Sequence, residues 1–248
     1  MVLLVRRPRR EPRSPYDARE SGERSQGQEP HPSVVLRGDD GALLPLDPSR
    51  WHGAPTPVED RLLARLEGPV LDVGCGPGRI VEGLGRRGVV ALGVDPAPGA
   101  VALARHRGCP VLQKSVFEPL PGEGRWACVL LLDGNVGIGG DPVRLLRRCR
   151  ALIHTTGTVV AEVEPGRSGC RSLQARLETG DDVSAWFPWS VVGADALGDL
   201  ARRAGLAVAA LHHADGRCFA RLTATSTVTP GRPVTPGRPA TSDQGVSG

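Results

Sequence analysis

The stretch that decides the fold is Val70-Leu71-Asp72-Val73-Gly74-Cys75-Gly76-Pro77-Gly78, in which an apolar run leads through an acid into three glycines at alternate positions. Glycine tolerates positive φ and leaves room for a ligand beside the backbone, so the pattern predicts a strand, a tight turn and a helix. The fingerprint of dinucleotide binders requires a glycine where Arg79 stands. This spacing, together with the lack of any tyrosine other than Tyr16, disfavours a nicotinamide-dependent oxidoreductase.

Outside this stretch, short apolar runs alternate with longer amphipathic segments, which is typical of βα units around a largely parallel sheet. Strands are predicted at 69–73, 89–94, 110–113, 127–132, 158–163, 206–212 and 217–222. The clearest helices are predicted at 57–67, 78–87, 98–107, 141–153 and 194–204. Asp141-Pro142 favours a helix start, and Asp215-Gly216 favours a hairpin. Residues 34–224 are therefore predicted to form one α/β domain.

The two ends of the chain differ in composition from this domain. Residues 1–33 are rich in Arg, Glu, Pro, Ser and Gly, and 225–248 contain a repeated Val-Thr-Pro-Gly-Arg-Pro, so both are predicted to be disordered. Of the formal net charge of +4, most lies in these ends, since 1–33 hold seven Arg against five acids and 225–248 hold two Arg against one acid. The domain itself is near neutral, which makes nucleic acid an unexpected partner.

The six cysteines are scattered and form no Cys-x-x-Cys pair, so we expect small reduced core residues and no metal site. The apolar run 1–5 is too short for a signal-peptide core or a membrane span. We therefore expect a cytoplasmic protein without membrane association.

Residues Leu71 to Arg79 closely resemble motif I of class I S-adenosylmethionine-dependent methyltransferases. The resemblance implies a three-layer αβα Rossmann-like fold with a sheet of about seven strands, mostly parallel and ending in an antiparallel hairpin. It also implies S-adenosylmethionine as cofactor, with the backbone of Gly74 to Gly76 against its amino acid part and Asp72 accepting from its ammonium group. A Gly-rich loop of some other α/β protein is the alternative.

Asp95, at the end of the next apolar run, is expected to accept from the ribose hydroxyls, or to cap the following helix, or both. Where the family has an acid near the adenine amino group this chain has Ser115, followed by Val116 as apolar contact. The residues that the resemblance places at the cofactor are Asp72, Gly74, Cys75, Gly76, Gly78, Asp95, Pro96, Ser115, Val116 and Asp133.

The fourth predicted strand ends in Asp133-Gly134-Asn135, at the sheet edge where ligands bind in open α/β folds. Asp133 and Asn135 are therefore expected to face cofactor or acceptor. The family's motif for methylating exocyclic and amide nitrogens, Asn or Asp followed by Pro-Pro and an aromatic, is absent from the sequence. Gly137-Ile138-Gly139-Gly140 is interpreted as a flexible turn.

The acceptor is expected to contact Trp51, His52, Asn135, Trp186 and Trp189, although these tryptophans equally fit a purely packing role. Candidate general bases are His52, Asp133, Glu162, Glu164 and His212, none favoured individually. The sequence thus predicts a methyltransferase acting on a small-molecule oxygen, nitrogen or carbon. A catalytically inactive S-adenosylmethionine-binding domain with a regulatory or scaffolding role is the alternative.

Overall fold

The computed structural model describes residues 34–46, 48–179 and 182–225. The predicted disordered arm 1–33, and the predicted tail 225–248 apart from Thr225, lie outside these residues. No helix within the described ranges combines the length and the apolar character needed to cross a bilayer.

The described residues form two sheets flanked by helices. In chain order the strands are β1 Val34–Gly38, β2 Leu43–Leu46, β3 Val70–Val73, β4 Ala91–Asp95, β5 Val111–Gln113, β6 Trp126–Leu131, β7 Ile153–Val163, β8 Cys170–Thr179, β9 Asp182–Val183, β10 Phe187–Val192, β11 Leu206–Ala214 and β12 Arg217–Ala224. The helices are α1 Pro48–His52, α2 Pro57–Leu63, α3 Arg79–Arg86, α4 Pro98–His106, α5 Pro142–Leu152 and α6 Leu197–Arg203.

The larger sheet confirms the predicted fold class. It has seven strands in the order β11-β12-β7-β6-β3-β4-β5. Neighbours from β7 to β5 pair in parallel, whereas β12 runs antiparallel to both β7 and β11. All four side chains of β3 are buried, as expected where helices cover both faces of a parallel sheet. The carboxyl ends of β3, β4, β6 and β7 therefore meet at one edge, which we call the carboxyl edge.

Local signals explain where several elements begin. Asp141 accepts a hydrogen bond from the Arg144 N–H at 3.0 Å and Pro142 occupies the first turn, so the predicted start of α5 is confirmed. At the start of α2, Thr56 and Glu59 form a reciprocal capping box. Asp215 and Gly216 both take positive φ in the turn between β11 and β12, as the hairpin prediction requires.

A second, antiparallel sheet was not predicted. Its order is β10-β8-β1-β2, with β9 paired to β8, and we call it the cap sheet. Buried and partly exposed side chains alternate along β1, so one face of this strand is buried and the other is partly exposed. The prediction relied on continuous apolar runs of the kind that central parallel strands have, whereas β8 alternates polar and apolar residues over most of its length. The region between β7 and α6, expected to be a connection, therefore contains three strands.

The glycine-rich segment 137–140 is not the flexible turn that the sequence suggested. It belongs to a 3-10 segment, Asn135–Gly140, that packs closely against β10. A Cβ on Gly137 would overlap the backbone oxygen of Ser190, and one on Gly140 would lie 3.0 Å from Pro188 Cβ. The glycines thus let the 3-10 segment join the cap sheet to the carboxyl edge of the larger sheet.

Replacing Gly137 by Ala is expected to destabilise the protein by roughly 1–3 kcal/mol, because the backbone of β10 has to move away from the added methyl group. Urea unfolding of the full chain measures this change. Gly166→Ala is the matched control, since nothing lies within 4 Å of an added Cβ there. Equal unfolding midpoints for the two variants would contradict the close packing of the cap sheet on this segment.

Candidate active site at the carboxyl edge

The glycine loop after β3 has the conformation that its sequence requires. Gly74, Gly76 and Gly78 have φ of 70°, 52° and 86°. The N–H of Gly74 donates to the carbonyl of Val94 at 2.9 Å, which ties the loop to β4. A Cβ on Gly78 would lie 3.0 Å from the Cys109 sulfur and 3.1 Å from the Ala104 Cβ. The third glycine is therefore needed where α3 approaches α4.

Asp72 is the most unusual group of the site. Its side chain is 2 % exposed, and Oδ2 has no hydrogen-bond partner in the described part of the chain. Burial raises the pKa of Asp72 to about 7; Arg79 opposes this rise, and the carboxylates of Asp133, Asp95 and Glu59 add to it. A positively charged ligand group at Oδ2 would relieve both the missing hydrogen bond and the repulsion.

Asp95 lies at the end of β4 and holds two loops in place. Its Oδ2 accepts from the Gly76 N–H at 2.9 Å, and its Oδ1 accepts from the Ala97 N–H at 2.8 Å. Burial raises the pKa of this carboxyl group. Each oxygen retains a further acceptor position, so the predicted capping role is compatible with ligand binding. Pro96, between the two contacts, is exposed.

Ser115 follows β5, the strand that pairs with β4. Its segment is fixed by Glu118, an acid for which the sequence predicted no role. The Ser115 N–H donates to Glu118 Oε2 at 2.6 Å, while Ser115 Oγ accepts from the Phe117 N–H at 3.3 Å. Val116 is 3 % exposed and packs in the main core. Of this pair, Ser115 is thus the side chain nearer to solvent at the carboxyl edge.

Asp133 belongs to a partly buried network of charges. It follows β6 with a φ of 54°, and its carboxylate pairs with Arg79, with Arg217 at 3.3 Å and with Arg50 at 3.7 Å. Arg79 also pairs with Glu59, whose side chain is fully buried. Burial alone would raise the pKa of Glu59, but the hydrogen bond and charge of Arg79 outweigh it and hold the value at about 2.

Arg217 connects the remaining acids of the network. Its guanidinium contacts both oxygens of Glu162 at 2.6 Å and Glu59 Oε1 at 2.7 Å. Glu162 Oε2 additionally accepts from the Asp133 N–H at 2.7 Å. Both carboxylate oxygens of Glu162 are thus engaged in this network. We call Glu59, Arg79, Asp133, Glu162 and Arg217 the charge network.

Asn135 lies against the glycine loop. Its Nδ2 donates to the carbonyls of Val73 at 2.9 Å and Gly74 at 3.0 Å. A Cβ on Gly74 would lie 2.6 Å from the same nitrogen. Through this nitrogen Asn135 connects the loop after β6 to the loop after β3, and its contact with the acceptor stays a prediction.

The other predicted acceptor residues divide into two groups. Trp189 lies on β10, 6.1 Å from the Phe187 ring and against Gly137, so it belongs to the cap sheet beside the carboxyl edge. Trp186 is 45 % exposed and stacks with Arg176 at 4.8 Å. Trp51 and His52 end α1, a helix that also brings Arg50 to Asp133.

Two candidate bases are exposed. Glu164 follows β7, beside the cap sheet. His212 is on β11, the outer strand of the larger sheet, four strands away from β3. The six cysteines are free, and five are buried as expected, but Cys170 is exposed.

Sequence reasoning missed Glu59, Arg79 and Arg217 as parts of the site. Arg79 was visible as the residue after the last glycine of the loop, a position that points a side chain of α3 toward the sheet. Glu59 was not predicted because an acid at the third position of a helix is explained by the capping box alone. Arg217 joins the site only because the hairpin β11–β12 returns to β7.

Residues 51–211 match the family model described as a methyltransferase domain. A ubiquinone biosynthesis O-methyltransferase of Cereibacter sphaeroides is 29 % identical over 164 residues, which are 62 % of this chain and 63 % of that protein. One of Azorhizobium caulinodans is 30 % identical over 134 residues, 52 % of each chain. The match thus spans less than two thirds of these relatives' length.

Solved structures show the same fold. An S-adenosylmethionine-dependent methyltransferase from Bacteroides fragilis, in complex with S-adenosylhomocysteine, superposes with a TM-score of 0.68 at 19 % identity, over 80 % of this chain and 90 % of that one. The CcbJ methyltransferase from Streptomyces caelestis superposes with a TM-score of 0.54 at 17 % identity, over 71 % and 92 %. No comparison favours the inactive alternative.

Proposed function

The chain belongs to the family of methyltransferase domains, and on this premise we propose that it transfers a methyl group from S-adenosylmethionine to a small molecule. The names of the curated relatives, O-methyltransferases of ubiquinone biosynthesis, favour an oxygen acceptor over nitrogen or carbon. The near-neutral body of the chain favours a small molecule over nucleic acid.

The observation that carries this proposal is the unpartnered Oδ2 of Asp72 beneath the glycine loop. An ammonium group is the ligand that a buried carboxylate without a partner accepts best, and S-adenosylmethionine carries one. Asp95 adds a second acidic side chain at the same edge, which suits a cofactor with a sulfonium and an ammonium group. The pyrophosphate of a dinucleotide would instead be repelled.

Arg50 is the cation best suited to the cofactor's carboxylate. Its side chain is 39 % exposed, and its ion pair with Asp133 spans 3.7 Å, so it is held much less tightly than Arg79 or Arg217. α1 carries it to the carboxyl edge, where the glycine loop lies. We assign to Arg50 the recognition of the carboxylate, to Asp72 that of the ammonium and to Asp95 that of the ribose hydroxyls.

S-adenosylmethionine supplies, when bound, a methyl group on a sulfonium whose leaving group is a neutral thioether. The chain's own residues then have to orient two molecules and exclude water. Asn135 and Asp95 fix the glycine loop from opposite sides. Asp133 and Glu162 are engaged by arginines and stabilise the sheet edge, so positioning and not proton transfer is the main contribution of this site.

Transfer is tested by incubating the full chain with S-adenosylmethionine labelled in its methyl group and with fractionated extracts of small molecules. We expect label to appear in a compound of low molecular mass. Label only in protein or nucleic acid, or no label above the protein-free reaction with any fraction, would contradict the proposal.

Replacing Asp95 by Ala is expected to weaken binding of S-adenosylhomocysteine at least tenfold, because it removes charge-assisted hydrogen bonds of about 1.5–3 kcal/mol each. It also releases the N–H groups of Gly76 and Ala97. Isothermal titration calorimetry measures the affinity, with the exposed Asp182→Ala as control. Unchanged affinity in the Asp95 variant would remove Asp95 from the cofactor site.

A further inference from the structure

Four carboxyl groups act on one another at the carboxyl edge, and they differ in the donors that surround them. Glu59 and Asp133 each pair with two arginines of the charge network. Asp95 accepts from two backbone N–H groups. Of the four, only Asp72 has a buried oxygen, Oδ2, that no donor in the described part of the chain reaches. A negative charge on Asp72 is therefore the least stabilised of the four.

Arg79 does not compensate a charge on Asp72. Its positive charge favours ionisation of this carboxyl group, but its ion pairs are formed with Glu59 and Asp133. Both of these acids also act on Asp72, with the opposite sign. Arg217 is likewise paired with acids other than Asp72. The arginines of the charge network are thus engaged, and an ionised Asp72 remains largely uncompensated inside the protein.

Two thiols and one further arginine complete the surroundings of Asp72. Cys75 lies in the glycine loop and Cys128 on β6, the strand next to β3. Burial raises the pKa of both thiols, to about 12 for Cys128, so neither is charged near neutral pH. Arg50 forms its ion pair with Asp133. None of these groups supplies the donor that Oδ2 lacks.

A carboxyl group in such surroundings retains its proton more readily than one in water. The side chain is 2 % exposed, and burial raises the pKa of Asp72 to about 7. The ligand-free protein therefore carries a proton on Asp72 in slightly acidic solution. An ammonium group at Oδ2 supplies both a donor and an opposite charge, and it favours the ionised form.

We propose that Asp72 exchanges its proton for the ammonium group of the cofactor, so that cofactor binding releases a proton to solvent and becomes weaker in acidic solution. A neutral carboxyl group and a ligand with an ammonium group become a carboxylate–ammonium pair, and the proton of the carboxyl group passes to the buffer. The inference rests on the proposed function, because it describes how pH regulates the same cofactor site. The occupancy of this site then follows the pH around neutrality.

The test is a calorimetric titration of the full chain with S-adenosylhomocysteine at pH 6 and pH 8, each in phosphate and in imidazole buffer. These buffers differ in their heat of ionisation, so the difference between the two binding enthalpies gives the number of protons released. We expect about 0.9 proton per chain at pH 6 and about 0.1 at pH 8, with an affinity about tenfold higher at pH 8. Equal enthalpies in the two buffers at pH 6, or equal affinities at the two pH values, would overturn the proposal.

Replacing Asp72 by Asn identifies the group that releases the proton. An amide has no proton to exchange, so we expect no release at pH 6 and equal affinities at pH 6 and pH 8. Asp182→Asn, at an exposed acid, is the control and should behave as the wild type. Proton release that persists in the Asp72 variant would assign it to another group and overturn the proposal.

Replacing Asp133 by Asn tests the electrostatic cause of the exchange. This change removes one of the acids that oppose ionisation of Asp72 and leaves Arg79 with one charged partner fewer. Both effects favour the carboxylate, so fewer protons should be released at pH 6 than in the wild type. Equal release would contradict the electrostatic basis of the proposal.

The two proposals fail in different ways. If S-adenosylhomocysteine does not bind at either pH, the proposed function fails and the proton exchange fails with it. If it binds at both pH values without releasing a proton, only the proton exchange fails.

Discussion

Replacing Asp72 by Asn is expected to stabilise the ligand-free protein at pH 8 and, in the same molecule, to weaken cofactor binding. The carboxyl group is 2 % exposed and burial raises its pKa to about 7, so ionising it in the folded state costs free energy. An amide of the same shape avoids this cost. From the pKa difference to an unfolded chain, near 3.9, we expect a gain on the order of 2–4 kcal/mol and roughly 5–10 °C in melting temperature.

The pH dependence identifies the cause of this gain. Because the folded-state pKa of Asp72 is above its unfolded value, the stability associated with the protonated group is fully present below about pH 4 and is lost as the pH rises through about 7. The advantage of Asp72→Asn over the wild type should therefore be large at pH 8 and should shrink toward pH 5. Thermal unfolding at the two pH values measures it, with the exposed Asp182→Asn as control.

The same substitution should lower the affinity for S-adenosylhomocysteine at pH 8 by roughly 10–100-fold, since an amide lacks the charge that the ammonium group requires. A variant that is less stable than the wild type at pH 8, or that binds as tightly, would contradict the assignment of Asp72. The combination matters because a merely damaged protein loses affinity and stability together.

Replacing Arg217 by Met is expected to cost about 3–5 kcal/mol of unfolding free energy, the usual effect of removing one partner from buried ion pairs. Glu162 would lose its guanidinium contacts at 2.6 Å, and the fully buried Glu59 would retain only Arg79 as a charged partner, beside the Thr56 N–H. Urea unfolding measures the loss. Arg221→Met, on the same strand but exposed, is the matched control and should change stability by less than about 0.5 kcal/mol.

Adding Glu162→Gln to the Arg217→Met variant should recover part of this loss, because the second substitution removes the acid that was left without its partner. Additive losses in the two single and the double variant would show that the two side chains act independently. That outcome would contradict the charge network as a unit.

The larger sheet could be predicted because its strands carry strong local signals. β3 and β6 are short apolar runs with both faces buried, and the glycines after β3 mark the turn. Asp141-Pro142 and Asp215-Gly216 mark element boundaries by their capping and turn chemistry. The cap sheet had weaker signals, because its strands are half-buried and because β1 pairs with β8 across more than a hundred residues.

The candidate site could be predicted only where its residues form a motif that is continuous in the sequence or follow directly after a predicted strand. The glycine loop and Asp72 were predicted because the glycine motif directly follows an apolar strand, and Asp95 was predicted because it ends the next one. Asn135 was placed at the correct edge, but its two hydrogen bonds to loop carbonyls depend on a distance that the sequence does not contain. Arg217 reaches its partners through β12, and only the tertiary pairing of that strand with β7 could identify it.

The central claim, that the loop from Asp72 to Gly78 binds an adenosyl cofactor with a free amino acid group, is tested most directly by calorimetry on the full chain at pH 8. S-adenosylhomocysteine and NADH are titrated in parallel. The account predicts saturable binding of S-adenosylhomocysteine at one site per chain and no measurable heat with NADH. Absence of binding with S-adenosylhomocysteine at millimolar concentration, or tighter binding of NADH, would contradict it.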